Sequence, residues 1–427
     1  MLPDVRPASP RDLEHLPTLE AAADALFAAA GIGPLPPGVG SVEELAGAAA
    51  VLVVGDPVVG FARLERVDGQ AHLEQLSVHP SAARRGVGAA LLEAAAGWAA
   101  RSGHDALTLC TFADVPWNAP FYARHGFVEL TDLGPGLRLL RETERRLGLD
   151  ALGRRVVLRR GVGPEAVLAD LAAGLGAALG DDLLGLYTHG SLVAGDFAPS
   201  RSDLDVLAVV ARAPDDAMLA AVAPVHTALA ERHPGWRGRV EVETVARSTV
   251  EAYAGRHVDA AARREDPIMR ISPGEALHLL PASNHRVLTW ATVRATGRVL
   301  SGAPAAEVLP AWPEHVVEEA LLDHVRDWPD WVETMTTVGA QAYSVLSVCR
   351  AWCATVGRER LSKRAAADRF VGDHPQDADL VVWARDWWYS DGPDTEPSRY
   401  DEVRDFVVRT TRSVVDASQK ASPVSRS

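Results

Sequence analysis

The sequence is poor in cysteine and in long apolar runs, and each shortage excludes a class of protein. The three cysteines among 427 residues, Cys110, Cys349 and Cys353, are too few for a disulfide framework and lack the spacing of zinc ligands. No apolar run approaches the roughly 18 residues of a membrane span, so we expect no membrane partner. Because Cys349 and Cys353 stand four residues apart in a predicted helix, we expect them to be core thiols.

Positive charge is also in short supply, since 57 acids and 43 bases give a net charge of −14. This balance disfavours nucleic acid as a partner and suits a polycationic small molecule. Lysine is almost absent, so Lys363 is not part of a general solvating background. The opening residues contain acids and prolines where a secretory signal needs an apolar stretch, so we expect a cytoplasmic protein.

The length and the order of local patterns predict several domains, at roughly 150 residues each. Residues 1–160 alternate strand and helix patterns, and residues 166–265 restart with a helix and contain three strand patterns. Residues 266–415 are helical, rich in tryptophan, and almost without strand patterns, and residues 416–427 have the composition of a disordered tail. We therefore predict an α/β domain, a smaller α/β sheet and a C-terminal helical bundle, with the oligomeric state left open.

A strand, a glycine-containing loop and a helix follow one another at residues 73–92. Gly86 and Gly88 remove side chains where backbone N–H groups would approach a ligand, and the helix N-terminus adds a partial positive charge. Arg84 and Arg85 add full charges. Taken together, these features predict a pyrophosphate site on the loop.

Together with the segment WNAPFYARHGF at 117–127, this motif resembles the GNAT acetyltransferase family over about residues 1–160. The resemblance implies a mixed, splayed sheet with helices on both faces, and acetyl-CoA as the donor of an acetyl group to an amine. It implies that backbone groups of Leu76 and Val78 hold the pantetheine arm. It also implies a set of pyrophosphate contacts: Arg84, Arg85, Gly86, Gly88 and Ala89. Ala83 departs from the family, which has Gln or Arg three residues before the first glycine.

The same resemblance suggests roles for three further side chains. Tyr122 would protonate the departing CoA thiolate, and Glu74 would act as general base for the acceptor amine. The alternatives are that Glu74 is a partly exposed strand residue and that Tyr122 packs in the core. Asn118 is either a helix cap or a CoA contact. These motifs do not name the acetyl acceptor.

The second motif joins two aspartates to a Gly-Ser turn. One predicted strand ends at Gly190-Ser191, and Asp203-x-Asp205 opens the next. Because side chains alternate along a strand, both aspartates point to one face, where they form an all-oxygen site suited to Mg²⁺. Gly190 allows close backbone approach, and Ser191 can donate to a phosphate oxygen. A metal site and hydrogen-bond donors to phosphate oxygens are the groups that phosphoryl-type transfer requires.

A third acid is expected from a neighbouring strand. The segment VEVETV places Glu241 and Glu243 on one face of a strand. Glu241 is our first choice for the third carboxylate and Glu243 the alternative. We therefore predict that Asp203, Asp205 and Glu241 converge on one divalent ion.

The Gly-Ser and Ser-Asp-x-Asp pattern resembles the nucleotidyltransferase superfamily, and the helical remainder is similar to the aminoglycoside adenylyltransferases of the streptomycin and spectinomycin type. The resemblance covers about residues 166–415. It implies transfer of AMP from Mg·ATP to a drug hydroxyl, and hence antibiotic resistance. It implies that a set of residues forms the nucleotide and metal site: Ser191, Ser202, Asp203 and Asp205.

The resemblance also implies that Glu241 activates the drug hydroxyl and that Lys363 lies against the ATP phosphates. Arg350 matches an arginine of the family. The family places acidic drug-binding groups in the helix before that arginine, whereas this chain has none there and Glu333 lies further back. This departure slightly favours an alternative, a nucleotidyltransferase that modifies a protein or RNA end, as antitoxin-like members do, with a regulatory CoA-binding module. The main hypothesis remains a bifunctional transferase.

Overall fold

The computed structural model describes residues 3–29, 31–33, 35–36, 41–254 and 267–421. The chain folds into two compact units. Unit 1 comprises Met1–Asp170 and Thr227–Arg237, and unit 2 comprises Leu171–His226 and Gly238–Ser427. The predicted middle and C-terminal domains thus lie together in unit 2, and their separation near residue 265 stays a prediction.

Unit 1 is built on a seven-stranded mixed sheet in the order β1-β2-β3-β4-β5-β7-β6. The strands β4 and β5 run parallel, and the other neighbouring pairs are antiparallel. The strands are Val5–Pro7 (β1), Ala50–Val54 (β2), Gly60–Val67 (β3), Gln70–Val78 (β4), Ala106–Phe112 (β5), Val128–Glu129 (β6) and Arg155–Gly161 (β7). The strands predicted for residues 1–160 are therefore confirmed.

Helices cover both faces of this sheet. They are Pro10–Leu13 (α1), Leu16–Ala29 (α2), Val42–Ala46 (α3), Val87–Arg101 (α4), Ala119–Arg124 (α5), Pro135–Arg146 (α6) and Leu149–Leu152 (α7). Gly60 faces α4, since a Cβ atom there would lie 2.8 Å from the side chain of Val87. The next residue, Phe61, belongs to the apolar cluster of Leu16 and Leu19 on α2. Because successive strand residues face opposite sides, α4 and α2 lie on opposite faces.

The sheet splays open between β4 and β5. The two strands pair over Ala71–Leu73, and β4 then continues to Val78 beyond the paired stretch. On the other side of β4, Gln75 pairs with Arg63 but Leu73 pairs with Leu64, so Glu74 is an extra, bulged residue. The bulged residue Glu74 directly follows the last paired residue, Leu73, at the point where the two strands separate.

Unit 2 contains a six-stranded mixed sheet in the order β12-β11-β10-β9-β8-β13, in which β9 and β10 are parallel. The strands are Leu183–His189 (β8), Leu204–Val210 (β9), Val240–Ala246 (β10), Pro267–Ile271 (β11), His278–Pro281 (β12) and Arg298–Gly302 (β13). The strands β8 to β10 were predicted. The expectation of almost no strand after residue 266 is wrong, because β11, β12 and β13 are short and lie outside the central strands.

The remaining helices are Pro164–Leu179 (α8), Gly190–Val193 (α9), Asp216–Arg232 (α10), Arg247–Ala252 (α11), Arg286–Thr296 (α12), Ala305–Val308 (α13), Glu314–Val332 (α14), Val338–Thr355 (α15), Lys363–Asp373 (α16), Ala378–Tyr389 (α17) and Tyr400–Ala421 (α18). Because α18 runs to Ala421, the tail predicted to be disordered from residue 416 is helical over its first part, and residues 422–427 lie outside the described residues. Within the described part of the chain, no helix combines the length and apolar content needed to cross a membrane.

The helices α14 to α18 share one apolar core. Trp328, Trp352, Phe370 and Phe406 are buried in it. The thiols of Cys349 and Cys353 are free and buried in the same core, as predicted. These helices therefore form the predicted C-terminal bundle. The first turns of α14 also pack with Trp290 of α12 in the apolar cluster that includes residues of the sheet.

Candidate active sites

Two half-buried aspartates and a glutamate lie near one another at one end of the unit 2 sheet. Asp205 and Glu241 are direct neighbours on the parallel strands β9 and β10, and Asp203 stands just before β9. Burial, helped by the charge of Asp205, raises the pKa of Asp203 to about 6. Burial and the charge of Glu241 raise the pKa of Asp205 to about 6. The three carboxylates thus act on one another electrostatically.

The predicted three-carboxylate ligand set is nevertheless not assembled. Oε1 of Glu241 accepts hydrogen bonds from Nη2 of Arg270 at 2.8 Å and from its Nε at 3.1 Å. Among the residues that the structure describes, no three His, Cys, Asp or Glu side chains are grouped so that they could hold a metal ion. Arg270, on a strand that the sequence did not reveal, instead holds the third carboxylate in an ion pair.

The Gly-Ser turn lies directly against Asp205. Gly190 has φ +67°, and a Cβ atom on it would lie 1.9 Å from Oδ2 of Asp205. Glycine is required here on two grounds, the left-handed backbone and the contact with the carboxylate. Ser191 follows in the short helix α9 and is half-buried. Gly190 and Ser191 therefore stand where the sequence predicted them, beside the second aspartate.

The structure separates the two candidate bases. Glu243 is 3% exposed, accepts a hydrogen bond from Nε1 of Trp290 at 2.6 Å, and pairs with Nη1 of Arg286 at 3.0 Å. Its carboxylate is committed to the core between the sheet and α12. Glu241, next to Asp205, is the one that remains at the site.

Ser202 is used differently from what the sequence predicted. Its side chain is buried, and its Oγ accepts a hydrogen bond from the backbone N–H of Ala198 at 2.9 Å. The backbone carbonyl of Ser202 accepts from Arg239. Ser202 thus closes the loop that leads into β9, and it positions the aspartates through the backbone.

The bundle contributes a cation to the aspartates. Lys363 is the first residue of α16, and its Nζ lies 3.9 Å from the centroid of the Tyr343 ring and 5.5 Å from that of Trp388. Burial lowers the pKa of Lys363, against the opposing effect of neighbouring negative groups that include Asp205 and Asp203. Its positive charge in turn lowers the pKa of both aspartates, against the larger effect of their burial. Lys363 thus lies near the aspartates, and its contact with the ATP phosphates stays a prediction.

Several residues around the aspartates were not predicted. Tyr343 is 37% exposed and packs against Lys363, on the same helix as Arg350, the arginine already matched to the family, whose charge acts on Asp205. His189 pairs in register with Asp205, and its burial lowers its pKa. His189 immediately precedes the Gly-Ser turn, so its place in the sequence could have revealed it. Arg270 and Tyr343 carry no such local signal.

In unit 1 the glycine loop turns into α4 as predicted. Gly86 has φ +82° and stands at the N-cap of α4, and Arg84 also has a positive φ of +60°. Arg84 and Arg85 are exposed. The first N–H groups of a helix have no partner within it, so those of Gly88 and Ala89 are directed out of the helix start. The loop presents amide groups and arginine side chains together.

The surroundings of Glu74 and of Tyr122 raise the pKa of both side chains. Burial raises the pKa of Glu74, and the charges of Glu144 and Glu65 add to it against that of Arg63. An elevated pKa suits a general base. Burial raises the pKa of Tyr122 above its ordinary range, so its hydroxyl stays protonated and available as an acid.

Asn118 stands at the N-cap position of α5, but its side chain makes no capping hydrogen bond. Its backbone carbonyl instead accepts from the N–H groups of Phe121 and Tyr122 at 2.8 and 3.0 Å. Its side chain is therefore not committed to the cap, one of the two roles that the sequence left open.

His72 lies behind Glu74 and was not predicted. It is 1% exposed, and burial lowers its pKa to about 4, so the ring is neutral. The hydroxyl of Thr108 donates to the carbonyl of Ala71 at 3.2 Å, so at 2.9 Å it accepts from Nδ1–H of His72. This tautomer leaves the unprotonated Nε2 facing Oε2 of Glu74 at 3.7 Å.

Two family models match separate parts of the chain. Residues 47–129 match the acetyltransferase (GNAT) domain, a segment that includes Glu74, the glycine loop and Tyr122. Residues 307–413 match the C-terminal domain of aminoglycoside adenylyltransferase, a segment that includes Arg350 and Lys363. The chain contains both domains. It is an enzyme, a bifunctional transferase with a GNAT domain and the C-terminal domain of an aminoglycoside adenylyltransferase.

Solved structures resemble the two parts at low identity. A spectinomycin adenyltransferase, AAD(9), from Enterococcus faecialis with ATP and spectinomycin is 14% identical, with 59% of this chain and 99% of that chain covered and a TM-score of 0.47. An N-acetyltransferase, paia, from Thermoplasma acidophilum with coenzyme A is 18% identical, with 38% and 99% covered and a TM-score of 0.28. The ribosomal-protein-S18-alanine N-acetyltransferase from Escherichia coli is 18% identical, with 38% and 95% covered and a TM-score of 0.27. At these identities no substrate follows for this chain.

Proposed function

We propose that unit 2 transfers AMP from Mg·ATP to a hydroxyl group of an aminoglycoside or aminocyclitol, and that unit 1 transfers an acetyl group from acetyl-CoA to an amine. The observation that supports the first reaction best is the half-buried pair Asp203 and Asp205, with Asp205 set against Gly190 and both aspartates under the influence of the charge of Lys363. The same chain carries an adenylyltransferase C-terminal domain. A polycationic acceptor also suits the net charge of −14.

Asp203 and Asp205 fit a magnesium ion. They are two half-buried carboxylates whose negative charges repel each other, and a divalent cation would relieve this repulsion. Mg²⁺ usually takes one or two protein carboxylates and fills its shell with phosphate oxygens and water, so a third carboxylate is not needed. When bound, the ion would neutralise charge on the phosphates of ATP.

The other residues of unit 2 take complementary parts. Lys363 would contact phosphate oxygens of ATP, and Ser191 would donate to another. Glu241 lies beside Asp205 on the neighbouring strand, where it would accept the proton of the attacking hydroxyl. The ion pair with Arg270 would hold the carboxylate of Glu241 in place for that role.

In unit 1 the acetyl donor would lie in the gap between β4 and β5. The backbone of Leu76 and Val78, beyond the paired stretch of the two strands, would bind the pantetheine arm. Pyrophosphate contacts would come from the glycine loop and α4: Arg84, Arg85, Gly86, Gly88 and Ala89. Glu74 would remove a proton from the acceptor amine, and Tyr122 would return one to the CoA thiolate.

A direct test incubates the full chain with Mg·ATP and a panel of aminoglycosides and aminocyclitols, and measures adenylylated drug by mass and pyrophosphate release. We expect a product with a mass increase of one AMP for at least one member. A parallel panel with acetyl-CoA tests unit 1. No adenylylated product and no pyrophosphate release with any member would refute the drug-directed function of unit 2.

A second candidate acceptor is the end of a protein or RNA. It is favoured by the helix α15, which contains no acid and carries Arg350 towards Asp205. A surface without acidic side chains offers no electrostatic attraction to a polycationic drug. Incubation with labelled ATP and a cell extract, followed by separate protease and ribonuclease digestion, would show a labelled macromolecule in this case, and no label beyond ATP in the drug case.

The roles of the two glutamates on β10 can be separated by matched variants. We expect Glu241→Gln to lower AMP transfer by about 10²-fold or more, because the base is lost, while the melting temperature stays near that of the wild type. Glu243→Gln should instead lower the melting temperature, because it leaves the buried Arg286 without a charge partner. The reverse pattern would assign the base to Glu243.

Tyr122→Phe tests the acetyl-transfer site. The phenyl ring keeps the packing against Phe121 and Phe127, so the fold should persist. We expect kcat for acetyl transfer to fall by about 10²-fold, because the acid for the thiolate is lost, with little change in the Kd for CoA. An unchanged kcat would leave Tyr122 with a packing role.

A further inference from the structure

The loop between the Gly-Ser turn and the aspartates contains a buried acid, Asp196, for which the proposed mechanism has no use. It follows Gly195 and is 9% exposed. Its backbone N–H donates to the carbonyl of Ser191 at 3.0 Å, which ties it to the turn beside Asp205. Its side chain points to the helical bundle of the same unit.

Both contacts of that carboxylate lie on the bundle. Oδ2 of Asp196 accepts the backbone N–H of Arg364 at 3.0 Å and the hydroxyl of Tyr389 at 2.7 Å. Arg364 is the second residue of α16, so the carboxylate caps the positive end of this helix. Ser362 caps the next free amide, that of Ala365, at 3.2 Å. The start of α16 is therefore fixed from both sides.

Lys363, the first residue of α16, directly precedes these two capped amides. We infer that Asp196 is a positioning residue that fixes Lys363 against the nucleotide site by linking the loop after Gly190-Ser191 to the N-terminus of α16. Moving the start of this helix moves Lys363 relative to Asp203 and Asp205. The inference rests on the proposed function, since it concerns the binding of Mg·ATP.

Neighbouring contacts strengthen the same link. The guanidinium of Arg201 lies 3.6 Å from the centroid of the Trp387 ring and donates to the carbonyl of Gly392. Ser200 hydrogen-bonds to Asp391. The loop thus contacts α17 and the turn after it as well as α16. Among these contacts, that of Asp196 is the one that reaches the helix carrying the lysine.

The test measures the Kd of Mg·ATP by titration calorimetry on the full chain. We expect Asp196→Ala to raise it about tenfold, which corresponds to about 1.4 kcal/mol. Asp196→Asn keeps an acceptor for Arg364 but loses the charge, so it should recover part of the affinity. Tyr389→Phe, which leaves the bond to Arg364, should have a smaller effect than Asp196→Ala. The Kd for CoA should not change in any of them.

A matched control and a double variant make the test specific. Asp215 caps α10 by accepting from the N–H of Met218 at 2.7 Å, so Asp215→Ala loses a cap of the same kind away from the site. It should lower the melting temperature without changing the Kd of Mg·ATP. In a Lys363→Ala background, Asp196→Ala should have no further effect on that Kd, because it acts through the lysine.

The outcomes separate this inference from the proposed function. If the wild type does not bind Mg·ATP, the proposed function fails. If the wild type binds and Asp196→Ala binds equally well, or if its effect is unchanged in the Lys363→Ala background, the inference is overturned. Should Asp196→Ala not fold, Asp196→Asn and Tyr389→Phe provide the same comparison, and wild-type affinity in both would also overturn it.

Discussion

Replacing Asp205 with asparagine should abolish AMP transfer and, in metal-free buffer, stabilise the protein. The two effects have one cause. Asp205 is half-buried next to the negative charges of Asp203 and Glu241, and its partial burial together with these charges raises its pKa to about 6. At pH 7 the carboxylate is ionised in the folded protein, and this ionisation lowers the free energy of unfolding. The amide of asparagine is neutral and has nearly the same shape as the carboxylate. The substitution therefore removes this loss of stability.

The loss of activity should be at least about 10⁴-fold, since a ligand to the ion that stabilises the transferred phosphate is lost. The gain in stability should be roughly 1 to 3 kcal/mol, the scale set by a pKa raised from 3.8 to about 6. The sign follows from linkage. An acid with a raised folded-state pKa destabilises the fold above that pKa, and the penalty disappears as the pH falls towards the unfolded value.

The measurement is thermal unfolding with a chelator, beside an adenylylation assay with Mg·ATP. Glu275→Gln, which neutralises an exposed acid of the same unit, is the control. It should change neither the melting temperature nor the rate of AMP transfer. The response of melting to CoA should also persist in Asp205→Asn, while the response to Mg·ATP is lost. A variant that loses stability together with activity would show that Asp205 is a structural acid.

Local patterns were sufficient for the central strands and failed at the outer ones. The strands β8 to β10 are seven residues long and carry apolar residues on their buried faces, which is a periodic signal. The strand β11 has five residues, PIMRI, and β12 has four, so neither is long enough to show a period. Missing β11 had a direct consequence at the site, because Arg270 on that strand binds Glu241.

The candidate site was predictable where residues are neighbours along the chain, and not where they meet through folding. Asp203 and Asp205 share a face because a strand repeats every two residues. Nothing local announces that Tyr343 packs on Lys363 or that Asp196 caps α16. In unit 1 the strand carrying Glu74 was predicted, but the bulge was not, because a bulge is a property of the pairing with β3.

The division of the chain into two units could likewise not be predicted from local sequence patterns. The segment Thr227–Arg237 lies between two strands of unit 2 in sequence, yet it belongs to unit 1. There, Nε1 of Trp236 donates to the carbonyl of Val162 at 2.7 Å, and Gly235 packs closely on Gly97. Because glycine has no side chain, a contact between two glycines produces no periodic pattern of apolar residues in the sequence. Such an excursion is visible only in the folded chain.

Gly190→Ala should reduce AMP transfer by about 10³-fold, although it adds a single methyl group outside the carboxylates. Two separate costs act at this position. The left-handed backbone, with φ +67°, costs a residue with a Cβ atom roughly 1–2 kcal/mol. The added Cβ would also lie 1.9 Å from Oδ2 of Asp205, so the carboxylate has to move. A displacement of about 1 Å at a catalytic group is enough for a loss of about 10²-fold or more.

Gly238→Ala separates the two costs. Gly238 has φ +70°, nearly the same backbone, but a Cβ atom on it would meet no atom within 4 Å. Both variants should lose similar stability, whereas Gly190→Ala alone should lose AMP transfer and the melting response to Mg·ATP. If the two variants kept equal activity, the contact between Gly190 and Asp205 would be irrelevant to catalysis. Since the loss requires that Asp205 be fixed at the Gly-Ser turn, the pair of variants tests the geometry of the proposed nucleotide site without altering any charge.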